Sequence, residues 1–203
     1  MHKIQQHILR GGNYPRTINA TRVSANEAAV QLLRRSTPYE SEDIIPIGIA
    51  YHLSGTGHAD YICLADPTEA FIVSFTSKAK ATLTNDFAAL LRAGGGANVE
   101  ATIPAAEKVC LVGFNMARIA IQVNKATRLD VRGADLPMLL SPNAQHPEAP
   151  SALIASKLGP RVNDRAIDSL WIKNREEDVV IQAWLAAWYV IFLHQKFGPE
   201  FCG

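Results

Sequence analysis

Hydrophobic positions along this chain fall into blocks whose period changes several times. The longest block runs from Glu176 to Phe197. Between Val179 and Leu193, Gln182 is the only polar side chain apart from the aromatics, so no solvent face with a 3.6-residue period is present. Acids open the block, Lys196 closes it, and Gly198-Pro199 stops it, the order that a helix dipole and a C-terminal stop favour. At about 15 residues the apolar run is shorter than the roughly 20 needed to span a bilayer. The pattern therefore predicts a helix buried nearly all round.

The earlier blocks read as shorter elements. Ser24-Ala-Asn-Glu27 is a capping box ahead of Ala28, Val30, Leu32 and Leu33, and predicts a helix ending near Arg35. The β-branched run from Ile44 to Leu53 predicts a central strand, followed by a turn at Ser54-Gly-Thr-Gly57. Tyr61–Ala65 and Ala70–Phe75 predict two strands joined as a hairpin at Asp66-Pro67-Thr68-Glu69. A helix over Asn85–Arg92, a buried strand over Val109–Phe114 and a helix starting at Met116 follow. Leu129–Val131 reads as a short strand, Leu136–Leu140 as a helix, Ser141–Pro150 as a loop and Ser151–Leu158 as a helix. Residues 1–21 are polar and broken by Gly and Pro, and read as a flexible N-terminal arm ahead of one domain over 22–203. Strands followed by alternating helices and strands predict an α/β domain with a mixed sheet.

Composition changes this picture little. The 203 residues are 48% hydrophobic with net charge +1, enough apolar material for one core and no global field toward nucleic acid or an anionic membrane. Three cysteines, two of them (Cys63 and Cys110) inside apolar runs, give no even disulfide framework and suggest a reduced intracellular compartment, cytoplasmic or nuclear. Lys3, Arg10, Arg16 and Arg22 precede any acid, which is compatible with an organelle transit segment or simply with a tail. His52, His58 and Asp60 are close enough in sequence to consider as metal ligands, although loop histidines after a strand usually face solvent. Gly94-Gly95-Gly96 closes a helix instead of opening one, so it is a helix stop and not a phosphate loop.

Several phrases, in order, resemble the 3′–5′ exonuclease domains of the DEDD superfamily, the ribonuclease D and Werner-helicase type. They are Tyr61-Ile-Cys-Leu64, Glu69-Ala-Phe-Ile-Val73, Leu111-Val112-Gly113, Ser151-Ala-Leu-Ile-Ala-Ser-Lys-Leu-Gly159, Ser169-Leu-Trp171 and Gln182-Ala-Trp-Leu-Ala186-Ala-Trp188. The resemblance spans Val23 to Phe197 and implies an RNase H-like mixed β-sheet flanked by helices. It also implies a site of four carboxylates holding two divalent metals about 3.5–4 Å apart around the scissile phosphate. On this chain the matching positions are Gly48 and Ala50 in the strand, Ile119 after Gly113, and Gln182 and Ala186 in the last helix. Hard cations need oxygen ligands, which these side chains, Gln182's amide apart, do not supply.

The expectation is therefore a pseudo-exonuclease with no metal or other cofactor, retained as a protein-interaction or scaffold module in an RNA-processing or RNA-silencing assembly. Trp184, Leu185, Trp188, Tyr189 and Phe192 are the expected interface, for a homodimer or a partner protein, because one helix cannot hide so much aromatic surface against its own sheet. The alternative is that residues 1–21 cover that side within one chain. A non-cleaving RNA- or single-stranded nucleic-acid-binding protein, using Lys125, Arg128, Arg132, Arg161, Arg165 and Lys173, is the second reading, and a divergent active nuclease the third.

Overall fold

The computed structural model describes residues 2–5, 8–9, 17–35, 45–55, 57–75, 85–92, 109–140, 149–158 and 163–197. Seven strands form one mixed sheet: β1 (His2–Gln5), β2 (Thr17–Val23), β3 (Ile45–Leu53), β4 (Ala59–Ala65), β5 (Glu69–Ser74), β6 (Val109–Gly113) and β7 (Ala134–Asp135), in the order β1-β2-β5-β4-β3-β6-β7. β1–β2, β3–β4 and β4–β5 pair antiparallel, while β2–β5, β3–β6 and β6–β7 pair parallel. The helices are α1 (Ala25–Arg35), α2 (Asn85–Arg92), α3 (Met116–Thr127), α4 (Leu136–Leu140), α5 (Pro150–Leu158), α6 (Asp164–Lys173) and α7 (Glu176–Phe197).

Alternation along the central strands divides the core into two layers. Ile47, Ile49, Ile62, Leu64, Phe71 and Val73 pack with α1, α2 and α3 on one face. Ala50, Cys63, Ala65, Ala70 and Ile72 pack with α5, α6 and α7 on the other. The mixed α/β architecture expected from the sequence is thus present.

Local chemistry explains the boundaries. The Ser24 Oγ accepts from the Glu27 amide at 3.2 Å, the capping half of the predicted box. In the hairpin turn, Asp66 Oδ1 accepts from the amides of Thr68 and Glu69 at 2.7 and 2.8 Å. At the head of α7, the buried Asp178 carboxylate holds the Arg175 amide and side chain.

Two expectations are corrected. The segment read as an arm contributes β1 and β2, and its Ile8, Leu9, Ile18 and Ala20 lie in the same core as α7. Its alternation was hidden because the inward positions of β2 are only Ile18 and Ala20. Leu129–Val131 is not a strand. Arg128 caps α3 in the left-handed region, and the Asn124 amide reaches the Leu129 carbonyl, so the chain turns and pairs later as β7. The triglycine, residues 141–148 and Arg161 lie outside the described residues.

Candidate functional site: an acid-free cleft under a seated helix

The centre of the molecule is a row of small residues. Gly48, Ala65, Ala70 and Ala20 are register partners across β3, β4, β5 and β2. Helix α7 lies on this row, and the contact is backbone to backbone. A Cβ placed on Gly48 would stand 1.7 Å from the Ala183 carbonyl oxygen and 3.0 Å from the Ala187 amide nitrogen. No side chain fits there unless the helix lifts.

Other side chains of α7 are held within its own chain. Gln182 Nε2 donates to the Leu170 carbonyl of α6 at 2.8 Å, and the Tyr189 hydroxyl donates to the Leu153 carbonyl of α5 at 3.0 Å. Trp184 Nε1 donates to the Pro67 carbonyl in the β4–β5 turn at 2.9 Å. Trp184, Trp188 and Phe192 stack in series, with ring centroids 5.6 and 5.3 Å apart. This corrects the expected interface. Trp184, Leu185 and Tyr189 are fully buried within the chain and present no surface, while Trp188 and Phe192 are half-buried. Their burial fits the alternative in which the N-terminal segment, through Ile8 and Leu9, shares this core.

Beside the helix lies a cleft of about 150 Å³, lined by Ile49, Ala50, Tyr51 and Leu53 of β3, Phe114 and Asn115, Arg118 and Ile119 of α3, Trp171 and Asn174, and Gln182 of α7. Three of the five positions matched to the nuclease acids (Ala50, Ile119 and Gln182) therefore share one cleft. The other two, Gly48 and Ala186, are buried at the level of the helix–sheet contact. Among the described residues no Asp, Glu, His or Cys lines the cleft, and no group of three or more such residues could hold a metal.

The cleft's polar groups come from loop and helix ends. Asn115, in the left-handed region at φ 65°, caps α3 by accepting from the Arg118 amide. Asp135 of β7 receives the Asn115 amide at 2.9 Å; burial raises its carboxyl pKa, and the amides of Asn115 and Met116 partly offset that rise. Burial likewise raises the Tyr51 phenol, with the Arg118 charge pulling it partly back. Arg118 was not singled out from the sequence. The signal was present, since α3 carries no acid anywhere along its length.

The remaining candidates are dispersed. Lys125 and Arg128 are exposed on α3, Arg132 beyond it, and Arg165 and Lys173 on α6. His52 Nδ1 and Asp60 Oδ1 pair at 2.7 Å, and His52 stacks on Tyr61, whereas the His58 carbonyl is tied into the turn by Ser54. Arg22 covers the Tyr61 ring and pairs with Glu176, joining β2 to the head of α7. Cys63 lies in the sheet face beneath α7, where burial pushes its thiol pKa far up. Iodoacetamide is therefore expected to leave Cys63 unmodified in the native protein and to alkylate it in urea, as read by peptide mass spectrometry.

No family model matches the chain, and no curated protein matches it. Solved structures do. The EXO domain of Nibbler from Aedes aegypti superposes at a TM-score of 0.55 with 13% identity, covering 97% of this chain and 93% of that one. The catalytic core of RRP6 from Trypanosoma brucei superposes at 0.51 with 14% identity, covering 98% of this chain. The fold is that of a 3′–5′ exonuclease domain. This chain spans 51% of the length of the RRP6 core. The EXD2 exonuclease domain soaked in Mn aligns over 91% of this chain and 92% of that one, at 18% identity and a TM-score of 0.43. Among the described residues, no helix of this exonuclease-like domain is long and apolar enough to cross a membrane.

Proposed function

We propose that this exonuclease-like domain does not cleave nucleic acid and works as a binding module, a scaffold for protein partners in an RNA-processing or RNA-silencing assembly. The observation that carries the reading is the contact at Gly48. The strand position matched to a metal-holding acid has its side-chain space taken by the backbone of α7. The neighbouring positions Ala50, Ile119 and Ala186 are buried and apolar, and two divalent cations there would lack charge compensation.

The test is a cleavage assay on labelled single-stranded RNA and DNA with Mg²⁺ or Mn²⁺, paired with isothermal titration of each metal. No cleavage and no micromolar metal site are expected, for the wild type and for Ala50→Glu and Ala186→Asp singly. Cleavage by any of the three, or a micromolar site in the wild type, would overturn the reading.

Non-cleaving RNA binding stands second, favoured by the exposed Arg118, Lys125 and Arg128 along acid-free α3. A salt-dependent anisotropy change with single-stranded RNA is its signature.

A further inference from the structure

Among the described residues the cleft's lining carries no carboxylate, while it does carry groups suited to an anion. Arg118 makes no ion pair among the described residues, although it lines the cleft and stands near enough to Tyr51 to act on its hydroxyl. Two of the cleft's three amides are already engaged, Asn115 in capping α3 and Gln182 in holding α6. The Tyr51 hydroxyl and the Asn174 side chain form no hydrogen bond among the described residues. Tyr51, raised by burial, remains a neutral donor. Phe114 and Trp171 meet edge to face at 5.2 Å and make a firm apolar wall.

We propose that this cleft docks a single carboxylate side chain, Asp or Glu, presented by a partner protein, with Arg118 as the group that grips it. The proposal rests on the non-cleaving reading above, because a two-metal centre would occupy the same space. Three features select the ligand. A guanidinium fork matches the two oxygens of a carboxylate, and one such charge balances a monoanion, whereas phosphate dianions are held by clusters of arginines. A cleft of about 150 Å³ is half the size of the smallest usual small-molecule pocket, about 300 Å³, and suits one side chain better than a nucleotide. The apolar wall packs the methylene groups of that side chain while the fork takes its end.

The experiment follows the three tryptophan indole N–H signals by nuclear magnetic resonance. Trp171 lines the cleft, while Trp184 is buried and bonded to Pro67, so it reports the fold. The probes are N-acetyl-glutamate N-methylamide, its neutral glutamine analogue, uridine monophosphate and a uridine oligonucleotide. A saturable shift of the Trp171 signal is expected with the glutamate probe and not with the glutamine probe. It should weaken about tenfold or more in Arg118→Gln, with Trp184 unmoved. An equal response to the glutamine probe, an undiminished response in Arg118→Gln, no response at all, or tighter binding of either nucleotide probe overturns the proposal. Cleavage in the parallel metal assay would sink the non-cleaving reading itself; a failed titration without cleavage sinks only the carboxylate pocket.

Discussion

Gly48→Ala is expected to lower the stability of the protein by about 3 kcal/mol or more, at the upper end of what one added methyl group costs in a packed core. The magnitude follows from what the methyl meets. Its nearest neighbour is the carbonyl oxygen of Ala183 at 1.7 Å, a backbone atom of a buried helix that cannot swing aside as a side-chain terminus would. The contrast with other glycines makes the test specific. At Gly113 the first contacts are the ends of Ile119 and Met116 side chains, both at 2.8 Å, which can turn away. At Gly55 nothing lies within 4 Å, and Gly55→Ala should change stability by no more than about 0.5 kcal/mol. In urea the Gly48→Ala midpoint should fall by about 1 M or more with the slope unchanged. Equal midpoints for the two alanine variants would mean that α7 does not sit on β3 as described.

The second large effect concerns Trp184. Trp184→Ala should cost about 3–5 kcal/mol, combining lost apolar burial, the cavity left behind and the Pro67 carbonyl left without its donor. Trp184→Glu places a charge in the same space and should yield no folded protein at all. Trp188→Glu and Phe192→Glu act on half-buried rings and should be milder. Circular dichroism melting separates these outcomes, and light scattering on whatever folds shows whether association changes. If Trp184→Glu folded normally and only lost mass in light scattering, the side chain would belong to an interface after all.

Much of the scaffold was legible from the chain because its signals are local. The capping box at Ser24, the apolar run from Ile44, the Asp66 turn and the helix from Glu176 each carry their own start and stop chemistry. What was not legible depended on partners distant in sequence. β2 is half polar and becomes a strand between two distant partners, antiparallel to β1 and parallel to β5. Helix α6 begins at Asn163, whose side chain accepts from the Ala166 amide, but its apolar face is narrow, with Ile167 and Leu170 alone buried.

The aromatic surplus on α7 was visible, and its destination was not. Pattern alone says that Trp184 must be covered. It cannot say that the β4–β5 turn bonds its indole, or that α6 and α5 bond Gln182 and Tyr189 beside it. The absence of acids at Gly48, Ala50, Ile119 and Ala186 was likewise plain, but a missing side chain does not reveal whether its space stays open or has been filled. Arg118 carries no motif of its own, since its neighbour Ile119 holds the position matched to an acid.

The seating of α7 on the Gly48–Ala65–Ala70–Ala20 row bears on how such a chain could change. A carboxylate at position 48 cannot be accepted until the helix rises, because Ala183 and Ala187 already bring its backbone onto the strand. Each such substitution taken alone lowers stability before any metal-binding chemistry could appear. A carboxylate site centred on position 48 would therefore need concerted substitutions on two elements, the strand and the helix that sits on it.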